Sequence, residues 1–225
     1  MPHVLITGAS DGIGRALVDI YAMQGWQITA TGRRDAGHID PALPAGCTYI
    51  AADLTETLEP VLAALPDTLD LAILNAGAGK VASPAEHSAE DVAQMIAINT
   101  ATPLLLAQAL RPRLQGGTLA LIGSTAAKGA HKEFAVYAAT KAALNGAARS
   151  LRLEWSGDVD VLMLHPGPTA TNMHDKAGLP NIAAKRLFTH PAIVARSLAR
   201  AIARGKNARF GMGYTLRHAL TGNRP

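Results

Sequence analysis

The sequence predicts a three-layer α/β/α fold, built on a doubly wound parallel sheet of six or seven strands with helices on both faces. Short apolar runs alternate with longer segments of helical periodicity along the chain. The short runs end near Gly, Asn, Asp or Pro, as buried parallel strands do. Because parallel strands need crossover helices, this alternation predicts a Rossmann-like arrangement.

The predicted elements follow one another without an obvious linker. Six segments have the length and composition of buried strands: Val4–Ile6, Trp26–Thr31, Thr48–Ala51, Leu69–Leu74, Thr118–Ile122 and Val159–Leu164. Four longer segments have helical periodicity: Ile13–Gln24, Glu56–Leu65, Ala89–Leu114 and Tyr137–Trp155. A further helix is predicted over residues 190–204, because Pro191 suits a first helical turn. Phe210–Tyr214 is a weak candidate for the seventh strand, and residues 171–189 are expected to form a loop that covers the substrate.

Composition indicates one globular domain over residues 1–225. Hydrophobic residues make up 48% of the 225 residues and charged residues 17%, which excludes a disordered chain. The single cysteine, Cys47, excludes an intramolecular disulfide framework and a thiolate-rich zinc site. No uninterrupted apolar run approaches the length of about 18 residues that a membrane span needs, and the first residues enter a strand pattern directly. We therefore expect a cytoplasmic protein that does not span a membrane.

Positive charge is concentrated toward the C-terminus. Residues 176–225 contain ten Lys or Arg and no Asp or Glu, in a chain of net charge +4. Such a segment can bind nucleic acid or another anionic surface. However, Arg196, Arg200 and Arg204 recur every four residues, which favours the solvated face of a helix. Few aromatic residues lie among these bases, so nucleic-acid binding is the weaker interpretation.

A glycine-rich segment follows the first strand. Thr7–Gly14 has the spacing Gly-x-x-x-Gly-x-Gly and leads directly into the first helix. Glycines there allow a tight turn and close backbone approach to a pyrophosphate, which the helix N-terminus attracts. A plain glycine turn is the alternative, but the position after the first strand of a βαβ unit favours dinucleotide binding.

The end of the second strand bears on the choice of cofactor. An acid there favours NAD, whereas an arginine accommodates the 2′-phosphate of NADP. Arg33 and Arg34 stand at this position, so NADP is the preferred cofactor and NAD the alternative. Asp11 and Asp35 would both oppose a phosphate.

Three polar residues predict acid–base chemistry at the sheet edge. Tyr137 and Lys141 lie four residues apart in a predicted helix, so the phenol and the ammonium share one face. We expect the cation to lower the pKa of Tyr137 from its usual value of about 10. Ser124 follows the fifth strand, where ligands of parallel sheets bind. Its alternative role is to cap the following turn.

These features together resemble the short-chain dehydrogenase/reductase family over residues 3 to about 172. The resemblance rests on seven motifs in register: Thr7–Gly14, Ala51–Leu54, Asn75–Gly77, Asn99, Ser124, Tyr137 with Lys141, and Pro166–Thr171. It implies an NAD(P)-dependent alcohol dehydrogenase or carbonyl reductase, in which Tyr137 exchanges a proton with the substrate oxygen. The implied catalytic residues are Ser124, Tyr137, Lys141 and Asn99, with Asn99 anchoring a water in a proton relay. The expected cofactor-binding residues are Gly8, Ser10, Asp11, Gly12, Ile13, Gly14, Arg33, Arg34, Asp53, Leu54, Asn75, Ala76, Gly77, Tyr137, Lys141, Pro166, Gly167, Thr169 and Thr171.

Each of the lesser motifs also has a structural interpretation. Asn75 could occupy a left-handed turn, Asp53 could cap the helix that follows it, and Asn99 could lie on a solvated face.

The mechanism needs no metal. The partners expected are a small carbonyl or alcohol substrate and a second copy of the chain, as a dimer or tetramer; Ala138, Ala142 and Ala143 could line a dimer interface. Two alternative functions remain. One is a regulator that senses nucleotides without catalysis, and the other is a protein that binds nucleic acid or anionic surfaces through residues 176–225.

Overall fold

The computed structural model describes residues 1–129, 132–171 and 188–209. Most of the loop predicted at 171–189 and the candidate strand Phe210–Tyr214 lie outside the described residues. The same is true of much of the basic segment 176–225.

The described residues form seven strands and six α-helices. The strands are β1 His3–Thr7, β2 Gln27–Gly32, β3 Cys47–Ala51, β4 Leu71–Leu74, β5 Thr118–Ile122, β6 Asp160–His165 and β7 Ala208–Arg209. The helices are α1 Gly12–Met23, α2 Glu59–Ala63, α3 Ala89–Ile96, α4 Thr102–Leu110, α5 Ala135–Glu154 and α6 Pro191–Ala203. Each of the six predicted strands is found within two residues of its predicted bounds.

All seven strands lie in one parallel sheet with the order β3-β2-β1-β4-β5-β6-β7. Val4 of β1 pairs with Ile28 of β2 on one side and with Leu71 of β4 on the other. The predicted doubly wound fold is therefore confirmed. The direction of winding reverses between β1 and β4, and ligands of such sheets bind at the carboxyl ends of the strands beside this reversal.

Two apolar clusters cover the two faces of the sheet. On one face α1 and α6 pack through side chains such as Leu17 and Leu198, which are fully buried. On the other face α4 and α5 contribute Leu110, Leu144 and Ala148. Burying a leucine stabilises the folded state by about 1.5–3 kcal/mol. These clusters hold the helices that carry the polar residues of the sheet edge.

The predicted helix Ala89–Leu114 is interrupted. α3 passes into a π-helical turn, Ala97–Ala101, before α4, and Arg111–Arg113 is a 3-10 turn. The π turn places Asn99 inward, where it is fully buried. Periodicity alone did not predict this insertion, because a single π turn leaves the apolar pattern almost unchanged.

One helical stretch of the described residues, Ala89–Arg113, is long and apolar enough to cross a membrane by length and composition alone. A single such helix is weak evidence for a membrane protein. The expectation from the sequence considered only uninterrupted apolar residues, and this stretch includes Gln94 and Asn99.

The second helix is shorter than predicted. α2 covers only Glu59–Ala63, whereas the pattern predicted Glu56–Leu65. Asp53 explains the later start of the helix, because its Oδ1 accepts hydrogen bonds from Thr55 N at 2.9 Å and Thr55 Oγ1 at 2.7 Å. The chain therefore turns at residues 53–57 before the helix begins.

The last described helix agrees with its prediction. Pro191 occupies its first turn, and the His190 side chain accepts a hydrogen bond from Ala192 N. Arg196, Arg200 and Arg204 are exposed, as expected for a solvated face.

Candidate active site

The carboxyl ends of the strands open into a cleft of about 1290 Å³. The segments that follow β1, β2, β3, β4, β5 and β6 all contribute to its walls. Most of the predicted site residues line it, namely Gly8, Ser10, Asp11, Gly12, Ile13, Arg33, Arg34, Asp53, Leu54, Asn75, Ala76, Gly77, Ser124, Tyr137, Lys141, Pro166, Gly167, Thr169 and Thr171. Gly14 and Asn99 are not among the lining residues.

The glycine loop turns tightly between β1 and α1. Gly8 and Gly12 have φ values of +67° and +54°, which favour glycine. A Cβ added to Gly14 would lie 2.2 Å from the Gly8 carbonyl oxygen. The missing side chain of Gly14 lets α1 pack against the loop, and the contact of Gly14 with a cofactor stays a prediction. Asp11 caps α1 by accepting a hydrogen bond from Gly12 N at 2.7 Å.

Asn75 connects the ends of β1 and β4. Its Nδ2 donates to the carbonyl oxygens of Thr7 at 3.0 Å and Gly8 at 3.3 Å. Thr7 Oγ1 in turn accepts from the backbone N–H groups of Asn75 and Ala76. Asn75 is not among the described residues with positive φ, so the left-handed turn considered from the sequence is wrong. Its amide fixes the glycine loop against the next strand.

The two arginines after β2 differ in their surroundings. Arg34 forms an ion pair with Asp11, with Nη2 and Oδ2 2.9 Å apart. Arg33 is exposed on the wall of the cleft, and its charge helps to lower the pKa of Asp53, after the larger effect of the Thr55 hydrogen bond. Asp35 lies 3.8 Å from His38. The two acids that would oppose a phosphate therefore each have a basic neighbour.

Ser124 and Tyr137 meet at the reactive end of the cleft. The Ser124 side chain hydrogen-bonds the Tyr137 phenol. Ser124 Oγ also accepts a hydrogen bond from Ala126 N at 3.1 Å, so the capping role considered from the sequence is present as well. Tyr137 is 8% exposed, and burial raises the pKa of its phenol while the Ser124 hydrogen bond acts in the opposite direction.

Lys141 lies one helical turn after Tyr137 and is 4% exposed. Its Nζ donates to the Ile122 carbonyl oxygen at 3.1 Å. Burial lowers the pKa of Lys141 to about 8. The expectation that Lys141 makes the Tyr137 pKa fall below its usual value does not hold in this structure. Burial disfavours the charged form of both groups, and for Tyr137 this effect is the largest.

Asn99 lies behind the cleft wall. Its Oδ1 accepts from Ala78 N at 3.0 Å, and its Nδ2 donates to Ala78 O at 2.7 Å and to Thr140 Oγ1 at 3.1 Å. A Cβ on Gly77 would lie 2.8 Å from Asn99 Oδ1 and 3.3 Å from Lys141 Nζ. Asn99 thus joins the loop after β4 to α5, and the solvated face considered from the sequence is wrong.

A family model for short-chain dehydrogenases matches residues 2–181. The chain belongs to the short-chain dehydrogenase/reductase family. The family predicted from the motifs is therefore confirmed, and the protein is an NAD(P)-dependent oxidoreductase.

Three known members of the family illustrate the similarity. A serine 3-dehydrogenase of Agrobacterium fabrum is 34% identical over 75% of this chain and 72% of its own. A D-threitol dehydrogenase of Mycolicibacterium smegmatis is 28% identical over 95% of this chain and 92% of its own. A crystal structure of a short-chain dehydrogenase from Shigella flexneri complexed with NADP superposes with a TM-score of 0.80, at 26% identity over 94% of this chain and 97% of that one.

The cleft of this family member fits a dinucleotide by its own geometry. A Cβ added to Gly8 would lie 2.8 Å from Ala76 Cα, and a Cβ added to Gly12 would lie 2.8 Å from Thr171 Cγ2. At both glycines the loop therefore presents bare backbone. Bare backbone at a helix N-terminus suits a pyrophosphate. Arg33 at one end and Lys141 at the other offer cations for the remaining polar groups of such a cofactor.

Several lining residues were missed by the sequence analysis. Lys80 and Asp91 form an ion pair at the rim, and the Lys80 hydrogen bond lowers the pKa of Asp91 to about 2. Phe134 and Met95 add apolar surface to the cleft, as does Phe188, which belongs to the loop that was predicted at 171–189. Lys80 comes three residues after Gly77 and could have been found from that position. Asp91 and Met95 come from α3, and only the folded chain shows that this helix reaches the cleft.

Proposed function

We propose that the protein interconverts a carbonyl and an alcohol in a small-molecule substrate, with Tyr137 as the acid and base. The observation that carries this proposal is the buried Tyr137 phenol, hydrogen-bonded by Ser124 and one helical turn from Lys141, on the wall of the cleft. The nicotinamide, when bound, supplies a hydride to the carbonyl carbon or accepts one from the carbinol carbon.

The protein's own residues act on the substrate oxygen. In the reducing direction the Tyr137 phenol donates its proton to that oxygen, and the Ser124 hydroxyl donates a hydrogen bond to it. The raised pKa keeps the phenol protonated at neutral pH, which suits reduction. Oxidation requires the phenolate as base, so its rate is expected to rise with pH.

We propose NADP as the preferred cofactor. Arg33 is exposed on the cleft wall, whereas Arg34 is engaged with Asp11. A guanidinium that is not held in an ion pair is the better partner for a 2′-phosphate, because no existing bond has to be broken. Arg33 is therefore assigned to that phosphate, and NAD remains the alternative cofactor.

Replacing the phenol tests the proposed reaction. In Tyr137→Phe the ring still packs, but the exchangeable proton is missing, so turnover should fall by about 10³-fold. Cofactor affinity, measured by fluorescence titration with NADPH and NADH, should change little. A panel of ketones, aldehydes and polyols supplies the substrates.

The matched control is Tyr21→Phe. Tyr21 is also a buried tyrosine, at 3% exposure, but it packs between α1 and the sheet, in the apolar cluster of α1 and α6. This variant should keep full turnover. Equal turnover in wild type and Tyr137→Phe would refute the assigned role. If the wild type binds NADPH but turns over no compound of the panel, the alternative of a nucleotide-sensing regulator is favoured instead.

We further propose that one domain over residues 1–225 forms a homodimer through α3, α4 and α5. Three large apolar side chains on these helices are exposed: Ile96 at 48%, Leu105 at 53% and Leu153 at 81%. Ala142 and Ala143, predicted as interface residues, are exposed on α5 as well. Light scattering at micromolar concentration should give twice the mass of the chain, and a monomer would contradict the proposal.

The cytoplasm is the proposed compartment. Cys47 is a free thiol, which agrees with a reducing environment. Fractionation of cells that express the tagged full chain would measure this directly.

A further inference from the structure

His165 lies behind the reactive end of the cleft and was not used in the proposed reaction. It is the last residue of β6 and is 3% exposed. Its Nδ1 is 3.0 Å from the carbonyl oxygen of Ser124, and its Nε2 is 3.2 Å from Asn145 Oδ1. The imidazole is not among the residues that line the cleft. It therefore touches the backbone of a site residue and not the site itself.

The chemistry of the Ser124 partner requires a proton on Nδ1 of the ring. A carbonyl oxygen only accepts hydrogen bonds, so Nδ1 must carry a hydrogen and donate it to Ser124. Behind the ring is a second cavity of about 360 Å³, which Lys128, Arg149 and Arg152 also line. Nε2 lies 3.2 Å from Asn145 Oδ1, so the opposite edge of the ring faces α5.

The residues before and after Ser124 both form backbone hydrogen bonds with the end of β6. Gly123 N donates to Leu164 O at 2.8 Å, and Thr125 N donates to Pro166 O at 3.1 Å. The hydrogen bond from His165 to Ser124 O lies between these two bonds. Ser124 is thus held through its own carbonyl by a side chain, while its neighbours are held through backbone N–H groups.

Gly123 leaves the space that the imidazole needs. A Cβ on Gly123 would lie 2.7 Å from His165 Nδ1 and 2.5 Å from Met163 Cε. The other end of the ring meets Asn145, which follows Lys141 by one turn of α5. His165 therefore connects the loop that carries Ser124 with the helix that carries Tyr137 and Lys141.

We propose that His165 is a positioning residue, which sets the Ser124 hydroxyl against the Tyr137 phenol by holding the Ser124 carbonyl. This inference rests on the proposed function of Ser124 and Tyr137. When the Ser124 carbonyl is released, the loop loses the bond between its two backbone anchors, and the hydroxyl no longer points reliably at the phenol. Cofactor contacts at the glycine loop are far from this loop in the chain and should be unaffected.

A pair of substitutions distinguishes the effect of the hydrogen-bond donor of His165 from the effect of its volume. In His165→Asn the amide nitrogen occupies the place of Nδ1 and can still donate to Ser124 O, whereas His165→Leu fills the space without a donor. We expect kcat to fall about tenfold in His165→Leu and to stay within about twofold of wild type in His165→Asn, with the KM for NADPH unchanged in both. The matched control is His3→Leu, which removes a partly buried histidine that contacts Thr29 at the other end of the sheet.

The pH profile gives a second readout. The Ser124 hydrogen bond lowers the pKa of Tyr137, so loosening it should raise the apparent pKa of alcohol oxidation in His165→Leu and leave it unchanged in His165→Asn. Nitrogen-15 NMR of histidine-labelled protein should show a proton on Nδ1 of His165, with the signal identified by its loss in His165→Asn. This measurement does not depend on activity.

The outcomes are distinct. A His165 ring without a proton on Nδ1, full activity of His165→Leu, or equal losses in His165→Asn and His165→Leu would each overturn the inference. Tyr137→Phe is measured in parallel. If it is as active as wild type, the proposed function fails and the inference fails with it. If it is inactive while His165→Leu matches wild type, only the role of His165 is refuted.

Discussion

The two ends of the cleft differ in how far their charged groups are removed from water. At the end expected to hold the adenosine, Arg34 and Asp11 form an ion pair with side chains 39% and 33% exposed, and Arg33 is exposed. At the reactive end Lys141 is 4% exposed and Tyr137 is 8% exposed. Both ends lie at the same edge of one sheet.

The difference in exposure separates binding from chemistry. Exposed ion pairs are screened and contribute little to stability, so residues there can change with little effect on the fold. A buried ammonium or phenol loses hydration, which shifts its pKa away from the usual value. The reactive end thus holds groups that destabilise the folded state in their charged forms. Replacing a buried charged group at the reactive end should therefore lower activity but raise the free energy of unfolding. Replacing an exposed charged group at the other end should change the free energy of unfolding little.

The largest effect is expected at Lys141. Lys141→Met keeps the length of the side chain but removes the ammonium, so turnover should fall by about 10³-fold. The same change should raise the free energy of unfolding at pH 7 by about 3 kcal/mol, because the folded wild type holds this lysine with its pKa lowered from 10.5 to about 8. Denaturant unfolding and steady-state kinetics on one preparation measure both.

The pH dependence provides the control for this prediction. Below pH 8 the lysine is protonated in both folded and unfolded wild type, and the destabilisation is complete. Between pH 8 and 10.5 the unfolded chain binds a proton that the folded chain does not, so wild-type stability rises relative to the variant. Above 10.5 the two curves should meet. A difference that is constant with pH would show that packing, and not charge, distinguishes the two proteins.

The convergence of the reactive residues could be predicted from the sequence, but their electrostatics could not. Spacing placed Tyr137 and Lys141 on one helical face, and strand order placed Ser124 at the same sheet edge, and the structure brings all three to one cleft. The sign of the Tyr137 shift depends on burial, which no local pattern gives. Spacing also could not show that Lys141 donates to Ile122 O, nineteen residues away in the chain.

Residues that act from behind the cleft were the hardest to predict. Asn99 was identified by its motif, yet its position depends on a π turn that apolar periodicity does not reveal. His165 directly precedes Pro166-Gly167, but its bond to Ser124 joins two crossover units and is seen only in the folded chain. The close approach of Gly14 to Gly8 O was not predicted either, because glycine patterns do not distinguish contact with a ligand from contact with the loop itself.

The second-largest effect is expected at Gly14. A methyl group at this position would lie 2.2 Å from Gly8 O, so Gly14→Ala must displace the glycine loop or α1. We expect the free energy of unfolding to fall by about 2 kcal/mol and the affinity for NADPH to weaken along with it. Gly146→Ala is the control, because no atom lies within 4 Å of an added Cβ on that α5 residue. Normal stability with weakened cofactor binding would indicate that Gly14 acts through contact with the cofactor and not through the packing of the loop.

The smallest effect is expected at the exposed end. Arg33→Ala should reduce the preference for NADPH over NADH by about tenfold, since one charged hydrogen-bonding partner of the 2′-phosphate is lost. Arg34→Ala should have a smaller effect on this preference, because Arg34 already bonds Asp11. Neither change should alter the unfolding midpoint, and the Arg33 effect should diminish at high salt as screening increases. The ratio of kcat/KM values for the two cofactors measures the preference. A larger loss from Arg34→Ala would mean that binding breaks the pair with Asp11, so that even the exposed end of the cleft rearranges around its ligand.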